Sequence, residues 1–341
     1  MSRRRASFCG LAAAALWSAA LTISMRAGEA PAAAQATQTP PAAAAQPGKY
    51  LGPGTCSAAA CHGSLQPVAN VRTDSTRPAI LQTEHTNWAV PDLHRHAFEV
   101  LSNSVSTRMA AILKIGEAKS APKCLVCHAL SPQAAPAANA EGVSCEACHG
   151  PGSGWLLPHY TKGWDELPRP QKNALGIVDT TDLVARTEQC LTCHLGTAEK
   201  FVDHEMIAAG HPDLVFDLES FSSGMPRHWR EPKENSAVRI FSVGQLVHLR
   251  ASLARLERRV KGPVWPEYGE LDCFSCHHSI PVGTSGIPFG GMLDQRKMQA
   301  GDSWRHAQGY QDRRPGNPAL NQSRWATARH VIAAYDQSAA G

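Results

Sequence analysis

Cys145-Glu-Ala-Cys148-His149 is one of five cysteine segments that decide the fold of this chain. Three more have the same Cys-x-x-Cys-His form, at residues 124–128, 190–194 and 273–277, and a wider one, Cys56-Ser-Ala-Ala-Ala-Cys61-His62, precedes them. Cys-x-x-Cys-His is the attachment signature of c-type haem, in which the two thiols form thioethers and the histidine is the proximal iron ligand. The sequence therefore predicts five haem c groups, four of them from the narrow motifs alone.

Each motif assigns two thiols and one imidazole to its haem. The thiols predicted to bind haem are Cys56, Cys61, Cys124, Cys127, Cys145, Cys148, Cys190, Cys193, Cys273 and Cys276, and the predicted proximal ligands are His62, His128, His149, His194 and His277. Zinc ribbons and disulfides also use paired cysteines, but neither requires a histidine after every pair. For the wider pair, Cys56 and Cys61, a disulfide stays open as the alternative.

The composition agrees with a chain whose interior is filled by haem. Aromatic residues make up 6% of the 341 positions and charged residues 18%, so few large side chains are available for a core. No run of 18 apolar residues follows the N-terminal region, which excludes a polytopic membrane protein. The sequence predicts a mainly α fold in which helices and long loops are wrapped around closely packed c-type haems.

The N-terminal region predicts an exported protein. Three arginines at positions 3–5 precede an apolar stretch over 8–25, which is typical of a secretory signal peptide; an uncleaved N-terminal anchor is the alternative. The expected segments are the signal or anchor at 1–30, an Ala/Pro-rich disordered linker at 31–49, the multihaem domain at 50–285, and a loop-rich extension with a short terminal helix at 286–341. We expect a periplasmic or extracytoplasmic location, with or without membrane attachment through the N-terminus.

The net charge gives no sign of a nucleic-acid partner. The formal charge is +4, and without residues 1–30, which carry four arginines and one glutamate, it falls to +1. A nucleic-acid-binding domain is expected to carry a basic stripe, which this chain lacks. The expected partners are redox proteins or a quinone-linked complex.

Eleven histidines outside the motifs are candidates for the second, distal iron ligand. The predicted distal ligands are His94, His159, His204, His211 and His228. His94 shares the apolar face of a helix predicted from Pro91 to about Lys114, because Phe98 and Leu101 follow it at helical spacing. His159 follows a Gly-rich loop, and His204 and His211 lie two helical turns apart, although Gly210-His211-Pro212 is expected to end any helix.

The other histidines are not among the five predicted distal ligands. They are His85, His96, His248, His278, His306 and His330. For His278, which directly follows a proximal histidine, ligation of another haem or binding of a propionate stays open. His248 lies in the clearest predicted helix, residues 235–261, on the face opposite the apolar stripe. That stripe consists of Val243, Leu246, Val247, Leu253, Leu256 and Val260, so we expect His248 to face solvent.

Three segments resemble the cytochrome c554 family. They are Trp88…Asp92-x-His94-x-x-Ala97, the block from Glu141 to Pro151, and His204-Glu-x-Ile-Ala-Ala-Gly-His211-Pro. The resemblance covers roughly residues 50–280 and implies a mostly helical, exported carrier of electrons, with distal-ligand roles for His94, His159 and His211. Cytochrome c554 carries four haems, whereas five are predicted here.

The sequence therefore predicts an exported pentahaem cytochrome that transfers single electrons between redox partners through stacked haems, each with two histidine ligands. We expect electron transfer rather than catalysis, and no catalytic residue is predicted. Two alternatives stay open. One is an oxidoreductase with one open-faced haem that acts on small nitrogen or sulfur oxyanions, and the other is a haem-bearing subunit of a larger membrane-associated redox complex.

Overall fold

The computed structural model describes residues 48–67, 80–277, 319–321 and 327–335, all within the unit Ala43–Gly341. These ranges contain α-helices joined by turns and short 3-10 helices, and no β-strand. The α-helices are α1 (Glu84–Ala89), α2 (Ser104–Leu113), α3 (Pro122–His128), α4 (Pro136–Ala140), α5 (Cys145–His149), α6 (Arg169–Ala174), α7 (Leu183–His194), α8 (His204–Ala209), α9 (Leu218–Gly224), α10 (Ala237–Val260) and α11 (Ala328–Tyr335). The mainly α fold predicted from the sequence is confirmed.

Several predicted features lie outside the described residues. They are the signal or anchor at 1–30, the linker over 31–47, most of the extension at 286–341, and His278 and His306. The described part begins at Gly48, and the backbone N–H of Lys49 donates to Ser153 Oγ at 2.7 Å. Every helix in the described ranges is too short or too polar to cross a membrane.

Side-chain caps determine where the helices that carry candidate ligands begin. Asp182 accepts bonds from two backbone N–H groups at 2.9 Å at the start of α7, and Asp203 accepts one at 2.8 Å at the start of α8. Because α7 begins at Leu183 and runs for 12 residues, its C-terminal end contains the motif at 190–194. α8 ends at Ala209 and is followed by Gly210, whose φ of 117° favours glycine, and then by His211.

The single helix predicted from Pro91 to Lys114 is wrong. Residues 91–98 form turns, a 3-10 helix covers Glu99–Ser102, and α2 begins only at Ser104. Asn103 separates the two helices with an extended backbone, and its side chain accepts the N–H of Ser106 at 2.8 Å. Asparagine is a strong helix-capping residue, so this local bond outweighs the continuous apolar spacing.

Helix α10 has its polar side buried, which also contradicts the prediction. It packs against α7, α9 and α11, and its buried residues include His248, Ser252, Arg255 and Arg259. His248 is only 2% exposed, whereas Leu253 and Val260 from the predicted apolar stripe are 48% and 49% exposed. The prediction that His248 faces solvent is therefore wrong.

Glu270 explains why the polar side of α10 faces inward. Its two carboxylate oxygens accept bonds from Arg255 at 2.8 Å and Arg259 at 2.9 Å, and Arg255 also donates to the carbonyl of Leu195. All three charged side chains are at least nine-tenths buried. Opposite charges that satisfy each other make the burial of a polar helix face tolerable.

The main hydrophobic cluster lies between α7, α9 and α10. It contains Leu183, Leu191, Leu195, Phe216, Leu218, Ile240 and Val247, with Cys190 packed against it. Because the cluster holds both ends of α7, it fixes the last turn, in which the motif histidine His194 lies.

Candidate functional site

The motifs present their thiols and imidazoles from short helical segments. The narrow motifs at 124–128, 145–149 and 190–194 lie on α3, α5 and the end of α7, and residues 273–275 form a 3-10 turn. Residues i, i+3 and i+4 of a helix share one face, so in the three α-helical motifs both thiols and the histidine project to the same side. This arrangement suits attachment to one macrocycle.

The wider first motif is closed by a turn. Backbone N–H groups of Cys61 and His62 both donate to the carbonyl of Ala58, at 2.9 and 3.0 Å. The eight cysteines of the first four motifs are free thiols, so no disulfide joins Cys56 to Cys61. The extra residues of this motif form this turn, which directly precedes Cys61 and His62.

Four motif histidines each lie opposite one of the predicted distal histidines. The ring centroids are 6.3 Å apart for His62 and His159, 6.0 Å for His194 and His94, 6.4 Å for His128 and His211, and 6.3 Å for His277 and His204. The structure thus brings together eight of the ten predicted iron ligands as pairs.

These separations fit two imidazoles that bind one metal ion from opposite sides. Metal–nitrogen bonds of about 2 Å and about 1 Å from each nitrogen to its ring centre place the two ring centres about 6 Å apart. The residues present therefore fit an iron between each pair. Within the described ranges, no three His, Cys, Asp or Glu side chains converge as a metal-binding group.

The fifth motif histidine, His149, is a neighbour of His228. Burial, with the charge of His228 as a smaller cause, lowers the pKa of His149 to about 4. Burial also lowers the pKa of His228, whose Nδ1 lies 3.4 Å from the carbonyl oxygen of Pro226. Both rings are therefore neutral at physiological pH, which is the form that binds a metal.

The second ring nitrogen of most paired histidines is held by the protein. Nδ1 of His128 lies 2.8 Å from the carbonyl oxygen of Ala97, and Nδ1 of His211 lies 2.8 Å from that of Pro212. Nδ1 of His159 contacts the carbonyl oxygen of Leu156. An Nδ1–H that donates in this way leaves Nε2 with a free lone pair, directed away from the backbone.

Two paired histidines use carboxylates instead. Nδ1 of His62 lies 3.0 Å from Glu84 Oε2, and Nδ1 of His94 lies 2.9 Å from Asp92 Oδ1. These bonds are the main cause that raises the pKa of each imidazole above its usual value of 6.5. Sequence reasoning missed both carboxylates as functional residues, although the Asp92-x-His94 spacing was a signal for one of them.

The loop that carries His94 is anchored to the third motif. Trp88 Nε1 donates to the carbonyl oxygen of Val143 at 2.9 Å, and the N–H of Val143 donates to the carbonyl oxygen of His94 at 2.9 Å. Gly142 has a φ of 81° and passes so close to His94 and Arg95 that a Cβ would collide with their carbonyl oxygens. These contacts join two of the segments quoted above for their resemblance.

The remaining histidines have other contacts. His85 packs against the edge of Trp88, and Nδ1 of His96 lies 2.8 Å from Glu99 Oε2 near the surface. His248 is buried beside Phe216, with ring centroids 6.5 Å apart. His330 is exposed on α11.

Cysteines of different motifs touch each other. Cys56 is hydrogen-bonded to Cys145, and this contact is the main cause that lowers the pKa of Cys56 to about 6. Cys193 is hydrogen-bonded to Cys127, which lowers the pKa of Cys193 to about 5. Cys148 is close enough to Cys190 and Cys193 for their charges to raise its pKa, after burial as the larger cause. The first motif therefore adjoins the third, and the fourth adjoins the second and third.

Comparison with known proteins gave one match. Residues 59–150 match the family model described as cytochrome c554 and c-prime. The matched segment contains Cys61, His62, His94 and the complete motifs at 124–128 and 145–149. No curated protein and no solved structure matches the chain significantly.

Proposed function

We propose that the chain is a member of the cytochrome c554 family, whose model matches residues 59–150, and that it transfers single electrons through five haems, each with two histidine ligands. The observation that carries this proposal is the set of four imidazole pairs at 6.0–6.4 Å. Haem c supplies a one-electron ferric/ferrous couple, and a second histidine on the iron closes the face at which a substrate binds.

The protein's side chains have separate roles in this proposal. The ten motif cysteines attach the haems, and the motif histidines bind the irons from the proximal side. On the distal side, His159 is proposed to serve with His62, His94 with His194, His211 with His128, His204 with His277, and His228 with His149. The bonds from Nδ1 hold these rings in the orientation that coordination needs.

Contacts between motifs support close packing of the haems. Because Cys56 touches Cys145 and Cys127 touches Cys193, the haems attached there would be neighbours. Cys148, beside Cys190 and Cys193, links these two groups. A series of neighbouring haems lets an electron enter at one motif and leave at another.

A buried tryptophan supplies further support for a bound group. Trp155 is 7% exposed, and its Nε1–H has no hydrogen-bond partner among the described residues. Its ring lies against His159, with centroids 5.5 Å apart. Buried donors in proteins are nearly always satisfied, and a haem propionate is an acceptor of the right kind beside this imidazole pair.

The proposal includes the location and the partners of the protein. The apolar N-terminal stretch favours export as a secretory signal peptide. The alternative is that this stretch stays uncleaved and attaches the exported protein to a membrane. The expected partners are redox proteins or a quinone-linked membrane complex.

Ligand removal at one pair tests the function. We expect the pyridine-haemochrome assay and the intact mass to give five haems, and EPR of the ferric wild type to show only low-spin iron. His159→Ala should convert about one haem in five to high spin, because its iron loses one of its two axial ligands. His330→Ala, an exposed histidine on α11, is the matched control and should leave the spectrum unchanged.

Two outcomes would contradict the proposal. High-spin iron in the wild type that binds nitrite or CO would favour the oxidoreductase with an open-faced haem. A wild-type count of four would remove Cys56, Cys61 and His62 from the haem sites.

A further inference from the structure

Two of the imidazole pairs differ from a third in what their Nδ1 atoms face. Glu84 holds His62 at 3.0 Å and Asp92 holds His94 at 2.9 Å, and these carboxylate side chains are only 17% and 2% exposed. In the pair formed by His128 and His211, both Nδ1 atoms face neutral backbone carbonyls. The irons at these three pairs would therefore have unequal ligand environments.

A carboxylate acceptor changes the electronic character of an imidazole. It draws the Nδ1 proton toward itself, so the ring becomes more basic and Nε2 donates more electron density to the metal. The negative charge nearby also favours the ferric over the ferrous state. Both effects lower the reduction potential of the iron concerned, and partial burial keeps water from screening the charge.

We propose that Glu84 and Asp92 are positioning residues that give the irons held by His62 and His94 lower reduction potentials than the iron held by His128 and His211. This inference rests on the proposed function, because it assumes that these histidines bind haem iron. It goes beyond that function by ranking the potentials of three of the irons. Among these three, electrons would rest preferentially at the pair formed by His128 and His211.

The two carboxylates are predicted to act with different strength. The second oxygen of Glu84 accepts the backbone N–H groups of Leu81 at 2.6 Å and Gln82 at 3.2 Å, which share its charge. Asp92 directs one oxygen to the ring and the backbone N–H of His94, and its buried Oδ2 has no partner among the described residues. Asp92 therefore exerts the larger effect.

The nitrogen atoms around both carboxylates fit charged, acceptor-only groups: Glu84 contacts three of them and Asp92 contacts two. A neutral amide of the same shape keeps an acceptor for Nδ1–H and removes the charge. Glu84→Gln and Asp92→Asn therefore separate charge from shape.

The test is a potentiometric titration of the full-length, haem-loaded protein, followed by absorbance and by EPR. We expect Glu84→Gln and Asp92→Asn each to shift one component to higher potential, with the larger shift for Asp92→Asn. Glu99→Gln is the matched control. It removes the same kind of charge from beside His96, which faces no other imidazole in the described structure, so all components should stay in place.

Unchanged potentials and g-values in both variants, with the haem count preserved, would overturn the inference. Should Asp92→Asn lose a haem, Glu84→Gln decides, and Asp92→Glu, which keeps the charge, should retain the wild-type titration. Absence of low-spin iron with two histidine ligands in the wild type would instead refute the proposed function, so the two failures are distinguishable.

Discussion

Arg186 and Glu231 form the ion pair that holds the segment next to His228. Two nitrogens of Arg186 bond to the two oxygens of Glu231 at 2.9 and 3.2 Å, and Trp229 and Asn235 each donate a further bond at 2.7 Å. Burial raises the pKa of Glu231, but these four bonds outweigh it, so the pKa lies below its usual value of 4.5.

Glu231→Gln removes the charge and keeps the shape. Because the native pKa is lowered, the pair stabilises the fold fully above pH 4.5, and this contribution is lost as the pH falls through the native pKa. We expect the variant to lower the free energy of unfolding at neutral pH by about 2 kcal/mol. The decline of stability with acid should also become flatter, as measured by urea unfolding across pH.

Glu188→Gln is the control for this prediction. Its ion pair with Arg250 joins side chains that are 56% and 60% exposed, and exposed pairs contribute little. If the free energy of unfolding of Glu231→Gln falls with acid as steeply as that of the wild type, the prediction is wrong.

At the residue scale, the sequence could predict the candidate iron ligands better than the residues that hydrogen-bond to them. His94 stood out because of its apolar neighbours and His211 because of its seven-residue spacing from His204, and each lies opposite a motif histidine. Glu84 is predicted by no spacing rule, because its partner His62 lies 22 positions away. A contact between positions so far apart leaves no pattern in the sequence around either residue.

At the element scale, α10 shows how apolar spacing gave the wrong buried face. Leu246 and Leu253 are spaced as a core stripe, yet they are 38% and 48% exposed. The polar face of α10 is buried instead, because Glu270 neutralises Arg255 and Arg259 there. A periodicity argument weighs each residue alone, so it cannot include an acidic partner from a later segment.

Substitutions on the two faces of α10 test this inversion. Arg255→Met leaves Glu270 with one arginine in a buried site, and we expect it to lower the free energy of unfolding by about 3 kcal/mol. Leu253→Gln, on the exposed face, should change it by less than about 0.5 kcal/mol. Urea unfolding measures both effects. A larger decrease in the free energy of unfolding for Leu253→Gln than for Arg255→Met would support the orientation predicted from the apolar stripe.

At the scale of the whole molecule, the described segment just before the first motif is held by one buried carboxylate of the third motif. Glu146 is 3% exposed and accepts the backbone N–H groups of Leu51, Gly52 and Gly152 at distances of 2.6–3.0 Å. This contact places the first motif against the third. The helical class followed from the motifs, but this arrangement did not, because motif spacing along the chain contains no information about which motifs touch.

The arrangement of the motifs predicts unequal consequences of removing them. The first motif touches the third, whereas the third also adjoins the fourth through Cys148. We expect the double variant Cys56→Ser/Cys61→Ser to lose one haem of five and to keep the remaining four with low-spin spectra. Cys145→Ser/Cys148→Ser should lose more than one haem or fail to accumulate, because it removes the attachment between two neighbours.

Intact mass and the pyridine-haemochrome assay on both double variants give the counts. The two double variants serve as controls for each other, since each removes two thiols from one motif and leaves its histidine. An unchanged haem count in the first variant would show that Cys56 and Cys61 hold no haem. Equal losses in the two variants would show that the third motif does not join the first to the fourth.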